Sequence, residues 1–222
     1  MFTASLAACN NIDETTEPDI DPNSIYFDYK ITGDEESSEV TCLVQYRYGG
    51  PEGESLKLDS PSGVLLDNKP LLLDSAQQTG AFYEARIPMN EFIGNHTLTF
   101  TNLEGKKYNE AFQFSPFSIA QEMGDTVERG NISLPLEGTK DGNIIRVVLI
   151  DTSFKTDDLN EVILVKGGSL TITKAQLKKV TNGPVTLQLY EEKDQRIKNG
   201  TGKGGNLSIT YSITKEFELV GD

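Results

Sequence analysis

From Leu207 to Thr214 apolar and polar residues change places at every step: Leu207, Ile209, Tyr211 and Ile213 against Ser208, Thr210, Ser212 and Thr214. A strict period of two is the signature of a strand with one buried face and one wet face. Phe217 and Leu219 continue the pattern after a small shift. The same alternation runs through Val40, Cys42, Val44, Tyr46 and Tyr48 against Thr41, Leu43, Gln45 and Arg47. Shorter strands are expected at Tyr26–Ile31, Ser55–Asp59, Gly63–Leu66, Pro70–Leu73, Phe82–Ile87, Thr97–Thr101 and Tyr108–Phe114. In the second half they fall at Ile132–Leu136, Ile144–Ile150, Glu161–Val165 and Ser169–Thr173. Turn signals punctuate them: Gly49-Gly50-Pro51-Glu52-Gly53, Asp67-Asn68-Lys69 as a hairpin turn, and Gly167-Gly168. Thr173 is placed to cap one helical turn, Lys174–Val180, packing Ala175, Leu177 and Val180 under a sheet edge. Many short strands with no long helix pattern predict an all-β chain of sandwich type.

Ser115-Pro116 breaks the pattern, because proline cannot continue a central strand. The expected organisation is an N-terminal segment 1–24, a β-sandwich over 25–115 and a second over 116–222. A weak repeat links the halves. Ile87 and Phe92 precede Gly94 and the alternating Thr97–Phe100; Ile172 and Leu177 precede Gly183 and the alternating Val185–Leu189. Strand, apolar-stapled crossover, turn and alternating strand in that order resemble the late strands of immunoglobulin-like and fibronectin type III-like modules. The resemblance implies two tandem Ig-like antiparallel β-sandwiches, although the tryptophan and paired cysteines of true immunoglobulin domains are missing.

The net charge of −14 is uneven. Residues 10–24 hold five acids and no base, 25–115 fourteen acids against seven bases, and 116–222 fifteen against thirteen. No basic stripe exists to neutralise phosphates, so nucleic acid is not an expected partner. The acidic N-terminal run, with Pro18 and Pro22, is too poor in apolar residues to order itself and predicts a flexible tether. It follows Leu6-Ala7-Ala8-Cys9, which resembles the lipobox of bacterial lipoproteins. A cysteine followed by an acidic linker is similar to the surface lipoproteins of the Bacteroidota. The resemblance implies that Cys9 is lipidated and holds the chain to the outer membrane, facing periplasm or exterior. The apolar stretch before Cys9 is short and has no basic start, so a leader upstream of Met1 is expected. No window approaches the roughly 18 apolar residues that span a bilayer as a helix. With Cys9 lipidated, Cys42 is left alone in the apolar phase of its strand as a small buried hydrophobe.

Chemistry is conspicuous by what is missing. The single histidine, His96, precedes an alternating strand and reads as a solvated turn residue. One histidine without a cysteine partner gives Ser-His-Asp and Cys-His mechanisms little to draw on, and zinc few ligands. Carboxylates are plentiful, and counting them leaves a two-carboxylate hydrolase open. Clusters such as Asp34-Glu35-Glu36 and Asp157-Asp158, however, fall in loops, where solvated charge is ordinary. Gly200-Thr201-Gly202-Lys203-Gly204-Gly205 fails as a phosphate loop: glycine follows the lysine, and a strand follows where a helix is required. It reads as a flexible hairpin loop. Neither cofactor nor metal is expected.

Twelve of the eighteen Phe and Tyr residues lie in 25–115. In Tyr26-Phe27-Asp28-Tyr29, Tyr26 shares a face with Asp28, opposite Phe27 and Tyr29. Tyr26 and Tyr48 are therefore the candidate ligand contacts, since exposed tyrosines stack on sugars or anchor protein partners. The expected function is a non-enzymatic, lipid-anchored envelope protein acting as spacer, adhesion or binding module. The alternatives are a glycan-binding accessory protein of a polysaccharide-uptake system and a fimbrial subunit.

Overall fold

The computed structural model describes residues 15–16, 20–76, 80–152 and 158–221. Cys9 and four of the five acids of the N-terminal run, Asp13, Glu14, Glu17 and Asp19, lie outside the described residues, as does Asp157.

The first half contributes β1 (Thr15–Thr16), β2 (Ile25–Asp34), β3 (Glu39–Tyr48), β4 (Leu56–Lys57), β5 (Gly63–Leu66), β6 (Lys69–Pro70), β7 (Leu72–Ala76), β8 (Gly80–Pro88), the helical turn α1 (Met89–Phe92), β9 (Gly94–Thr101) and β10 (Lys107–Phe114). The second contributes β11 (Ser118–Ile119), β12 (Thr126–Glu128), β13 (Ile132–Glu137), β14 (Ile144–Asp151), β15 (Leu159–Leu164), β16 (Ser169–Ile172), α2 (Lys174–Leu177), β17 (Gly183–Arg196) and β18 (Gly205–Val220). The fold is all-β, two Ig-like antiparallel β-sandwiches in tandem. In the first, β2-β3-β8-β7 face β10-β9-β5-β6; in the second, β15-β14-β17-β18 face β11-β13-β16.

The two large layers are one sheet. β18 is 16 residues long. Its first half, Gly205–Ser212, pairs in parallel with Phe27–Asp34 of β2, while Asn206–Leu219 pairs with β17. The result is a nine-stranded sheet running from β15 at one end to β7 at the other, with β12 added in parallel beside the end of β18. In the odd-numbered row of β18, Leu207, Ile209, Tyr211, Ile213, Phe217 and Leu219 are all buried, so the phase is kept past the half-buried Lys215 and the expected shift near Phe217 does not occur. Lys215, the one polar member of that row, reaches Glu35 at 2.6 Å where the halves meet.

Packing follows the alternation. Phe27 stacks on Tyr29 at 5.8 Å and meets Tyr46 and Phe100 edge-on at 5.4 and 5.3 Å. Tyr211 presents its edge to Phe114 and Phe117 at 6.1 and 5.6 Å, which carries the apolar interior across the seam. Each such ring, fully buried, stabilises the fold by roughly 1.5–3 kcal/mol. Both crossovers of the repeat form a helical turn that buries its apolar staple, Phe92 in α1 and Leu177 in α2. Thr173 and Gln176 close a reciprocal capping box at α2. The turn ends at Leu177, however, and Ala175 faces solvent rather than packing. The stretch read as one strand from Pro70 to Leu73 divides: buried Leu71 marks the crossing, with β6 in the small sheet and β7 in the large one. Asp67 and Asn68 take φ of 49° and 66°, as the predicted hairpin turn requires.

Candidate functional site

On the outer face of the nine-stranded sheet, a cleft of about 390 Å³ opens between Tyr26, Asp28 and Lys30 of β2, Arg47 of β3, the Pro51–Glu52 turn and Asn206 of β18. The period of two places Tyr26, Asp28 and Lys30 here, because Phe27 and Tyr29 fill the core on the other side. Antiparallel register sets Arg47 directly across from Tyr26, and parallel register sets Asn206 beside Asp28. The site therefore draws on both halves of the chain.

Arg47 anchors it. Its Nη1 donates to the Gly53 carbonyl at 3.2 Å and its Nη2 to Gln45 Oε1 at 2.5 Å. Nε is buried 3.7 Å from Asp28 Oδ2, close enough for an ion pair, and has no hydrogen-bond partner among the described residues. Lys30 holds the same carboxylate oxygen at 3.3 Å. Burial, and then the Asp28 carboxylate, hold the Tyr26 hydroxyl above its ordinary value, so it stays a neutral donor. One aromatic ring, two cations, two carboxylates and an amide converge without a nucleophile–base pair. Such a set offers donors, acceptors and a ring face to a polar ligand.

Tyr48 is exposed, but it lies one position along β3 from Arg47 and so points to the opposite face of the sheet. The two candidate tyrosines thus do not share a site. Tyr46, its neighbour two residues back, is fully buried. The remaining cleft residues were within reach of the alternation, since Lys30 continues the Tyr26 row and Arg47 leaves the Tyr46 row. Asn206 was not, because nothing local announces that β18 pairs with a strand some 180 residues earlier.

A second, wider groove of about 650 Å³ crosses the outer face of β9 and β10 between the Asp67–Asn68 turn and Lys198–Asn199. Ala111 leaves room in its floor, and Thr97, Thr99 and Asn109 line it. Asn199 donates to the Asn109 carbonyl at 3.1 Å, and the buried Glu110 accepts from the Lys198 amide at 3.0 Å. The glycine-rich loop is thereby pinned to the first sandwich, further held by a bond from Thr201 to the Ile25 carbonyl, rather than swinging free.

His96 is buried, which corrects the expectation of a solvated turn residue. Its ring stacks on Phe92 at 4.0 Å; Nδ1 meets Asp67 Oδ2 and Nε2 the Phe92 carbonyl, each at 2.6 Å. Both contacts fix a turn. Buried Glu191 accepts from Asn143 at 2.6 Å and pairs with Lys193 at 2.8 Å, which ties the loop before β14 to β17. Among the described residues, no three His, Cys, Asp or Glu side chains are grouped to hold a metal ion.

No family model and no curated protein matches this chain. Among solved structures, it is similar to DIP-gamma IG1+IG2 at 12% identity, over 89% of this chain and 96% of that one, with a TM-score of 0.25. It is also similar to a tetra-tandem repeat in the extending region of a large adhesion protein, at 11% identity over 85% of this chain and 49% of that one, TM-score 0.28. A third is the Bacteroides ovatus mixed-linkage glucan utilization locus protein SGBP-B in complex with a mixed-linkage heptasaccharide. There identity is 10% over 86% of this chain and 60% of that one, with a TM-score of 0.22.

Proposed function

We propose that this chain is a non-enzymatic, lipid-anchored protein of the bacterial cell envelope, tethered to the outer membrane through Cys9, whose fused sandwiches present the Tyr26 cleft to a partner. The cleft carries the reading: its polar groups converge from β2, β3 and β18 around one aromatic ring. The Leu6-Ala7-Ala8-Cys9 box and the acidic run behind it support the anchor. Two or more acyl chains give stable attachment, at roughly 0.8 kcal/mol for each buried methylene. Mass spectrometry of the mature N-terminus tests this part; a chain whose Cys9 carries no acyl group removes it.

A glycan is the ligand class that the cleft favours. A tyrosine face flanked by Arg47, Lys30, Asp28 and Asn206 offers both stacking and the paired donors and acceptors that hydroxyl-rich rings need. Retention on polysaccharide affinity gels, lost in Tyr26→Ala and in Arg47→Ala, is the expected result. No retention on any polysaccharide ends the glycan reading while leaving a protein partner for the same surface.

A further inference from the structure

The large sheet has two ends, and at one of them Glu161 of β15 is held by Gln176 of α2 and by Lys179 just beyond it. Among the described residues β15 pairs as a strand only with β14, and β7 only with β8. Natural edge strands are usually blunted by lysine, proline or a bulge. Neither Leu-Asn-Glu-Val-Ile-Leu of β15 nor Leu-Leu-Asp-Ser-Ala of β7 contains lysine or proline. Instead they carry four of the seven large apolar side chains that stand exposed among the described residues: Leu72, Leu73, Val162 and Leu164. A fifth, Ile144, lies directly beside Leu164.

These positions are arranged to meet. Val162 and Leu164 project from the outer face, opposite buried Leu159. Leu72 aligns with Glu84 and through it with Leu43, on the face opposite buried Cys42 and Val44, so it is on the outer face as well. Leu73 aligns with buried Tyr83 on the inner face, the face on which Ile163 packs partly against the core. A sheet continued from one molecule into the next keeps inner face with inner and outer with outer. Joining β15 to a neighbour's β7 therefore puts Val162 and Leu164 on the same face as Leu72, and Ile163 on the same face as Leu73. Charge favours the same partner. Residues 158–180 carry four lysines against two acids, whereas 67–91 carry four acids against two bases.

We propose that this protein binds a second copy of itself head to tail, β15 of one molecule adding to β7 of the next. The contact is heterologous, because each molecule offers a different edge, and it extends into an open row of copies rather than closing as a symmetric dimer. It goes beyond the ligand reading of the Tyr26 cleft and does not depend on it.

Sedimentation velocity of the full chain over a rising concentration series tests the assembly. The expected result is a ladder of species that lengthens with concentration. Leu72→Lys and Val162→Lys change side chains that are 75% and 68% exposed, so circular dichroism of both variants should match the parent. Each variant alone should remain monomeric, its association weakened about tenfold or more by a lysine on the joining edge. Mixed together they should form a one-to-one complex, because one retains an intact β7 edge and the other an intact β15 edge. A parent that stays monomeric throughout overturns the proposal. So does assembly that survives in either variant alone, which signals symmetric pairing, or a mixture that gains nothing over its parts.

Discussion

Cys42 and Tyr46 stand in the same inward row of β3, sealed between the layers. Burial first, and the Asp67 carboxylate second, push the Cys42 thiol up to about 12. The reactive thiolate is then scarce at neutral pH. A thiol-specific disulfide reagent at pH 8 should leave Cys42 untouched in the folded protein and label it fully in denaturant; fast labelling without denaturant would show an open core. The Tyr29 and Tyr46 hydroxyls lie 3.4 Å apart in the same interior. Burial is the largest cause raising both above their ordinary 10.0. The folded state therefore holds these protons more tightly than the unfolded chain does. Their contribution to stability is complete below pH 10 and drains away as pH rises above it. Urea midpoints should accordingly be flat from neutrality to pH 9 with respect to these groups, then drop, and part of the total phenolate absorbance of the eight tyrosines should appear only as the protein unfolds. Ionisation of all eight tyrosines before unfolding would contradict this burial.

Among the elements, β18 has the decisive position, and Gly205 decides how it starts. A Cβ at that position would come within 2.5 Å of the Phe27 carbonyl oxygen and 2.7 Å of its Cβ. Only glycine lets β18 lie against β2 at the first rung of their parallel ladder. Gly205→Val should destabilise the protein by about 1–3 kcal/mol, as overpacking commonly does. Hydrogen exchange should locate the damage at the Phe27 amide, which donates to the Gly204 carbonyl at 3.1 Å. Unchanged protection there would mean that the two strands are not held as described. The alternating runs, the hairpin turn at Asp67–Asn68 and the capped turn at Thr173 were all legible from local pattern, because each is set by neighbours within a few residues. The inward turn of His96 was not, because Asp67 and Phe92 reach it from other elements.

At the scale of the whole molecule, the shared sheet makes the two sandwiches one folding unit. Separating them costs the eight-residue ladder between β2 and β18, the Tyr211 contacts with Phe114 and Phe117, and the Lys198–Glu110 bond. The exposed Lys215–Glu35 pair adds little, about 1 kcal/mol or less. Calorimetry of the full chain should show a single transition whose van't Hoff and calorimetric enthalpies agree. Two resolved transitions would mean that the seam is weaker than its contacts suggest.

By itself, the sequence determined the class of fold, most of the strand positions and the face on which Tyr26 and Asp28 stand. A period of two and a glycine- or asparagine-bearing turn act through the backbone of a few adjacent residues, wherever the strand ends up. Only the tertiary structure decided that β18 joins a strand of the other half, that Asn206 closes the Tyr26 cleft and that β7 and β15 come to stand at the two ends of the large sheet. Parallel pairing between distant strands is selected by how whole apolar faces match once the layers pack, and no short stretch of chain carries that information.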